Sequence, residues 1–201
     1  MKEIFHSVRH DQVKYNNASK VTCNQITCGY CGNQIAPDYG YSISTHEYAP
    51  IYIYRCPCCD NPIIYNAVTK VSYPGEPFGR DVKNLPENIQ TLYDECRTCY
   101  ANQCYTSSQM IARTLLMHIA VEQGADEDKS FKYYVDYLSD NNFIPPNGKQ
   151  WVDFIRESGN VANHQIVIKE KEETEKVITF LSSLLLFIYE LPAEMSQGGT
   201  P

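Results

Sequence analysis

The chain lacks the features that would send it into a membrane or out of the cell. Its first ten residues, Met-Lys-Glu-Ile-Phe-His-Ser-Val-Arg-His, contain no apolar h-region and no small-residue cleavage site, so the sequence predicts no secretory leader. It also lacks an uninterrupted apolar run of the roughly 20 residues that a spanning helix needs. The nearest approach, residues 177–191, is closed by Glu190 and reads as a buried core helix. A basic excess is missing too: Lys and Arg total 17 against 24 Asp and Glu. Residues 1–80 carry seven basic and six acidic side chains, a net +1, whereas residues 81–201 carry ten and eighteen, a net −8. A broad nucleic-acid face shows as clustered Lys and Arg, and the second half has none. Polynucleotide contact there requires a local pocket or a partner chain. No internal repeat is present. An apolar fraction of 43% supports a packed core and excludes a disordered chain.

Cysteine, by contrast, is abundant. In a chain expected to be cytoplasmic, nine cysteines point to metal ligands and buried thiols rather than disulfides. Six of them (Cys23, Cys28, Cys31, Cys56, Cys58, Cys59) fall in the first 59 residues. Cys28-Gly-Tyr-Cys31 and Cys56-Pro-Cys-Cys59 are two C-x2-C units with 24 residues between them. Each such turn brings two thiolates together, and two turns complete the S4 tetrahedron that Zn²⁺ favours. The expected metal ligands are therefore Cys28, Cys31, Cys56 and Cys59, with Zn²⁺ in a structural role, since four thiolates leave no coordination position for water. Cys58 competes with Cys59 for the last place, and Cys23 and His46 are lesser alternates. Gly32 offers the positive φ that such a knuckle uses. Cys96 and Cys99 lie on the apolar face of a predicted helix, and with Cys104 just beyond it they read as core thiols.

Residues 23–72 alternate in the β manner, as in Tyr41-Ser-Ile-Ser and Ile51-Tyr-Ile-Tyr. After the turn-rich stretch Tyr73-Pro-Gly-Glu-Pro-Phe-Gly the apolar period becomes helical. Helices are predicted over 87–103, 106–122 and 130–138, from 149 onward, and over 170–191. The expected fold is α+β: a small β zinc ribbon (1–72), a linker (73–85), an all-α bundle of about five helices (86–194) and a disordered tail (195–201). On the fourth helix, Arg156, Asn160 and His164 are spaced i, i+4, i+8, one polar row if helix continues through Gly159. Such a row is either a site or a hydrogen-bond network that pins two helices.

Several stretches carry a resemblance: Met110-Ile-Ala-Arg113-Thr-Leu-Leu, Trp151-Val-Asp-Phe-Ile-Arg156-Glu-Ser-Gly159-Asn160-Val-Ala-Asn-His164, and Phe187-Ile-Tyr-Glu-Leu-Pro-Ala. Together they resemble the DUF4145 family, helical domains of bacteria that stand behind a zinc ribbon or are attached to restriction-type proteins. The chain departs from the family at Met117, where a glutamate often follows the arginine by one turn. The family is in turn similar to the HEPN helical bundles, many of them metal-independent ribonucleases of defence systems. That resemblance implies His164 as acid/base, Asn160 as the polar residue and Arg156 as phosphate partner, acting in a homodimer. The usual arginine slot holds Gly159, however, and Arg156 lies about 12 Å along the helix from His164. Two functions follow as expectations. The first is a cytoplasmic, zinc-containing binding protein of a prokaryotic defence or restriction context, recognising nucleic acid or a partner protein. The second is a HEPN-like endoribonuclease acting on RNA.

Overall fold

The computed structural model describes residues 17–45, 48–145, 148–159 and 167–197. The architecture is α+β, with antiparallel sheets followed by helices. The chain divides into two compact units, Met1–Pro77 and Phe78–Pro201.

Among the described residues the first unit holds seven strands: β1 (Ser19–Lys20), β2 (Ile26–Thr27), β3 (Gln34–Ile35), β4 (Tyr39–Thr45), β5 (Tyr48–Arg55), β6 (Pro62–Asn66) and β7 (Val71–Tyr73). Strands β1-β4-β5-β6-β7 form one antiparallel sheet in that order; β2 and β3 form a separate hairpin. The period of two decides what faces inward. Tyr52 and Tyr54 on β5 are buried, with Ile63 and Tyr65 beside them on β6 and Ile26 and Ile35 from the hairpin. Buried tyrosines need partners for their hydroxyls. The Tyr54 hydroxyl donates to the Thr22 carbonyl and accepts from Asn24 Nδ2, both at 2.6 Å, tying down the segment before β2. The opposite face leaves its apolar side chains in solvent. Ile43, Ile51, Ile64 and Tyr73 are between 36% and 55% exposed, and they lie side by side through the pairs Ile43↔Ile51, Ile53↔Ile64 and Ile64↔Tyr73.

The second unit is helical: α1 (Glu87–Ala101), α2 (Tyr105–Glu122), α3 (Phe131–Asp140), α4 (Lys149–Gly159), α5 (Lys171–Leu185) and α6 (Leu191–Gln197). Helix α2 packs against α1, α3 and α5, and α3 against α4. The buried residues recur at helical spacing: Ile89, Tyr93, Cys96 and Tyr100 on α1; Leu115, Leu116 and Ile119 on α2; Val177, Ile178, Leu181, Leu184 and Leu185 on α5. Two buried polar links join the helices. Ser108 Oγ donates to the Cys96 carbonyl at 2.9 Å, and Gln109 Nε2 donates to Thr174 Oγ1 at 3.0 Å. Ser130 caps α3 by accepting from the Tyr133 amide. The segment just before α1 belongs to this unit. Arg97 donates to the carbonyls of Phe78 and Gly79 at 3.1 and 3.2 Å, and the Tyr93 hydroxyl donates to the Arg80 carbonyl at 2.8 Å.

The closing helix runs further than the sequence predicts. Pro192 has no N–H and would clash with the carbonyl of a regular preceding turn. The chain absorbs it in a π-turn over Leu186–Glu190, in which the Leu191 amide reaches back five residues to the Leu186 carbonyl. Helix therefore continues past Leu191 and through residues 195–197, which the sequence assigns to a disordered tail. Among the described residues, Lys171–Ser196 is the one helix long and apolar enough to cross a membrane by length and composition. Its α5 portion buries eight side chains among the other helices, as the core helix of a bundle does.

Leu181 is fully buried, and replacing it with alanine should cost about 2–5 kcal/mol through lost contacts and a residual cavity. Denaturant unfolding with metal in excess checks this: the midpoint of the helical transition should fall at unchanged slope. Ile43→Ala on the exposed sheet face should move stability by no more than about 0.5 kcal/mol.

Candidate metal centre

Strand parity sets the positions of the first sulfur in each knuckle. Ile26 and Cys28 are buried two residues apart, as are Tyr52, Tyr54 and Cys56, so each first cysteine extends the inward face of the strand before it. The first knuckle then turns at the tip of the β2–β3 hairpin and the second at the tip of β5–β6. The two turns have the same hydrogen bonds. In the first, the Cys28 amide donates to the Asn33 carbonyl at 3.0 Å and the Gly32 amide to the Cys28 carbonyl at 2.8 Å; in the second, Cys56 donates to Asn61 at 3.0 Å and Asp60 to Cys56 at 2.9 Å. The residue after each second cysteine is left-handed, Gly32 at φ +71° and Asp60 at φ +60°. Glycine takes that conformation without penalty, and aspartate is among the few other residues that tolerate it. Gly29 is required for a different reason. A Cβ there would lie 2.2 Å from the Pro74 carbonyl oxygen, so only glycine lets residues 74–75 cross the first knuckle.

The result is a compact sulfur cluster. Cys28, Cys31, Cys56 and Cys59 place their Sγ atoms within 4.8 Å of one another, the only group of three or more metal-ligating side chains among the described residues. Cys28 Sγ lies 3.7 Å from Cys59 Sγ, and Cys31 Sγ lies 3.8 Å from Cys56 Sγ. A tetrahedron with 2.3 Å metal–sulfur bonds has an edge of about 3.8 Å, so the cluster has the dimensions of a four-thiolate shell. Disulfide bonding would need sulfurs near 2.05 Å; all nine cysteines are free. Geometry decides between the two candidates for the fourth place. Cys59 points into the cluster, and Cys58 is exposed and outside it. Cys23 is also outside, its thiol 3.3 Å from the Ala36 carbonyl, and His46 lies outside the described residues.

Crowding four sulfurs without a cation works against ionisation. Burial pushes the Cys28 and Cys59 thiols up. Burial acts the same way on Cys31, but the Asn33 amide and the neighbouring thiols outweigh it and bring Cys31 down to about 7. Cys28 and Cys59 therefore keep their protons near neutrality unless a cation replaces them. Two polar residues complete the surroundings. Asn33 Nδ2 lies 3.5 Å from Cys31 Sγ, and Asn61 Nδ2 lies 3.4 Å from Cys59 Sγ. Cysteine spacing overlooks them, although the sequence signals them: in both knuckles the asparagine follows the second cysteine by two.

The other sequence candidates are distributed as follows. Cys96 is buried, its thiol pushed up to about 11 by burial and 3.2 Å from the Ser108 carbonyl. Cys99 is half-buried and Cys104 exposed. Arg156 lies on α4 with its guanidinium paired to Asp136 of α3 and, at 3.0 Å, to Asp153 one turn back. Asn160 and His164 lie outside the described residues. Arg113 stacks its guanidinium over the Phe131 ring at 4.5 Å, and burial lowers its pKa.

Fold and site together define a class: a four-cysteine ribbon module carried in one chain with an α-helical bundle. Residues 94–197 match the model of the domain of unknown function DUF4145, and the chain belongs to that family. No curated protein and no solved structure matches the chain. The family match begins within α1, so the cysteine module lies outside it.

Cys56→Ser should lose stoichiometric metal and Cys58→Ser should keep it, as elemental analysis of the purified variants would show. Metal binding should also release protons. The metal-bound folded state holds fewer protons than an unfolded chain with ordinary thiols, so metal-linked stability rises with pH and is lost as pH falls. Calorimetry in buffers of different ionisation heat should detect the released protons, with affinity declining steadily from about pH 7.5 to pH 6.

Proposed function

We propose that the protein is a cytoplasmic, zinc-stabilised interaction module that recognises a partner protein. Zinc suits a closed S4 shell, because a d¹⁰ ion imposes no geometry of its own and four thiolates satisfy it without a water ligand. The core of the first unit is small, so the metal would supply much of its folding free energy. The observation that carries the reading is the exposed row of Ile43, Ile51, Ile64 and Tyr73 on a sheet whose other face is clamped by the sulfur cluster. Contiguous apolar surface of this kind marks contact with another macromolecule. Its neighbourhood carries little charge, and the helical unit is acidic, so protein is favoured over nucleic acid as the partner. The helical unit adds a cleft of about 250 Å³ lined by Phe143, Trp151, Phe180 and Phe187, with Thr179 and Ser183 also on its wall. We read Lys171–Gln197 as the core helix of the bundle, with no membrane role. A prokaryotic defence or restriction context rests on family resemblance alone.

A second reading is a HEPN-like, metal-independent endoribonuclease, active as a homodimer, with His164, Asn160 and Arg156 as its site. Its support in the fold is that Arg156 stays 30% exposed on α4. Against it, the guanidinium is already engaged by two aspartates.

Ile51→Lys combined with Ile64→Lys should leave zinc content and the unfolding midpoint unchanged while abolishing co-purification of whatever partner the wild type retains. Undiminished retention would refute the sheet face as the contact. Incubation with RNA in EDTA should leave the RNA intact; cleavage that survives chelation and disappears in His164→Ala would establish the ribonuclease instead.

A further inference from the structure

The four sulfurs are not equivalent. Cys28 and Cys56 are fully buried, whereas Cys31 is exposed and Cys59 half-buried. Water, oxidants and competing chelators thus reach a bound metal through the second cysteine of each knuckle. Those are the two sulfurs met by asparagine. Asn33 sends its side-chain amide to Cys31 and its backbone N–H to the same sulfur; Asn61 does both for Cys59. A thiolate only accepts hydrogen bonds, so with metal bound the N–H end of each amide must face the sulfur. Each donor withdraws charge from its thiolate and occupies a direction from which a proton or electrophile would attack.

Resting on the zinc reading, we infer that Asn33 and Asn61 are a matched pair of positioning residues that hold the metal in place by guarding its two accessible thiolates. The pairing is built into the turn. Each asparagine stands two residues after its cysteine, across a left-handed residue, and its carbonyl accepts from the amide of the first cysteine at 3.0 Å. Because that second bond uses only the backbone, the side chain can be changed without unmaking the knuckle. The asparagines therefore act on metal retention separately from fold.

The test uses the full chain as wild type, as Asn33→Ala with Asn61→Ala, and as Asn33→Asp with Asn61→Asp. The aspartates keep the shape, remove the donor and add a repelling charge. Each protein is loaded with cobalt, to confirm four-thiolate coordination from the charge-transfer and d–d bands, and then with zinc. Transfer of zinc to a colorimetric chelator should be about 10-fold to 100-fold faster in the alanine pair, the range expected when outer partners of a metal site are removed. It should be faster again in the aspartate pair. Alkylation of the zinc-loaded proteins, mapped by mass spectrometry, should accelerate at Cys31 and Cys59 and leave Cys28 and Cys56 protected. Variants that show four-thiolate cobalt spectra, release zinc at the wild-type rate and alkylate no faster would overturn this inference and leave the metal centre standing. A wild type that binds neither ion would overturn the zinc reading and this inference with it.

Discussion

Two hairpin tips, otherwise held together by a handful of tyrosines and isoleucines, meet at four sulfur atoms within 4.8 Å. Those contacts make no sense as a store of neutral thiols. Cysteine thiols are weak hydrogen-bonding partners, and burying several together without a cation suppresses the charge that would make them useful. A divalent ion reverses the balance, converting mutual crowding into coordination. The rest of the first unit follows from that constraint. The strands must deliver one cysteine each from their inward faces, and the turns must close tightly enough to deliver the second. A backbone crossing at Gly29 and left-handed residues at Gly32 and Asp60 serve that closure.

The helical unit is governed by different physics. Its core is a continuous layer of aliphatic and aromatic side chains from all five principal helices, centred on α2 and α5. Its polar groups are used to fix helices in register, as in the Ser108–Cys96 and Gln109–Thr174 links. Arg156 belongs in the same account, since its pairing with Asp136 ties α4 to α3. The chain thus joins a module built around a four-cysteine cluster that could hold a metal to one held together by apolar burial. Only the latter matches the DUF4145 family.

The four cysteines of the cluster could be read from the chain almost entirely by counting. C-x2-C is a local device, and its geometry depends on few residues outside the turn. Helix starts and types were equally legible, because Ile89, Tyr93 and Cys96, or Leu115 and Ile119, recur at a spacing that no other regular structure uses. Legibility ended where distant segments meet. Spacing favoured Cys59 over Cys58, but the orientation of the second knuckle settled it. The π-turn over Leu186–Glu190, which carries the last helix through Pro192, has no local signature beyond the proline, and proline more often ends a helix.

The sequence by itself determined which residues can ligate metal, where β period gives way to helical period, and the family of the helical part, because these properties reside in short windows of chain. Tertiary structure alone decided that Tyr52 and Tyr54 of β5 face inward while Ile51 faces solvent, since strand alternation names two faces without choosing between them. It also placed Asp136 of α3 where it occupies the Arg156 guanidinium. Those outcomes depend on which surfaces meet, and no window of sequence contains both partners.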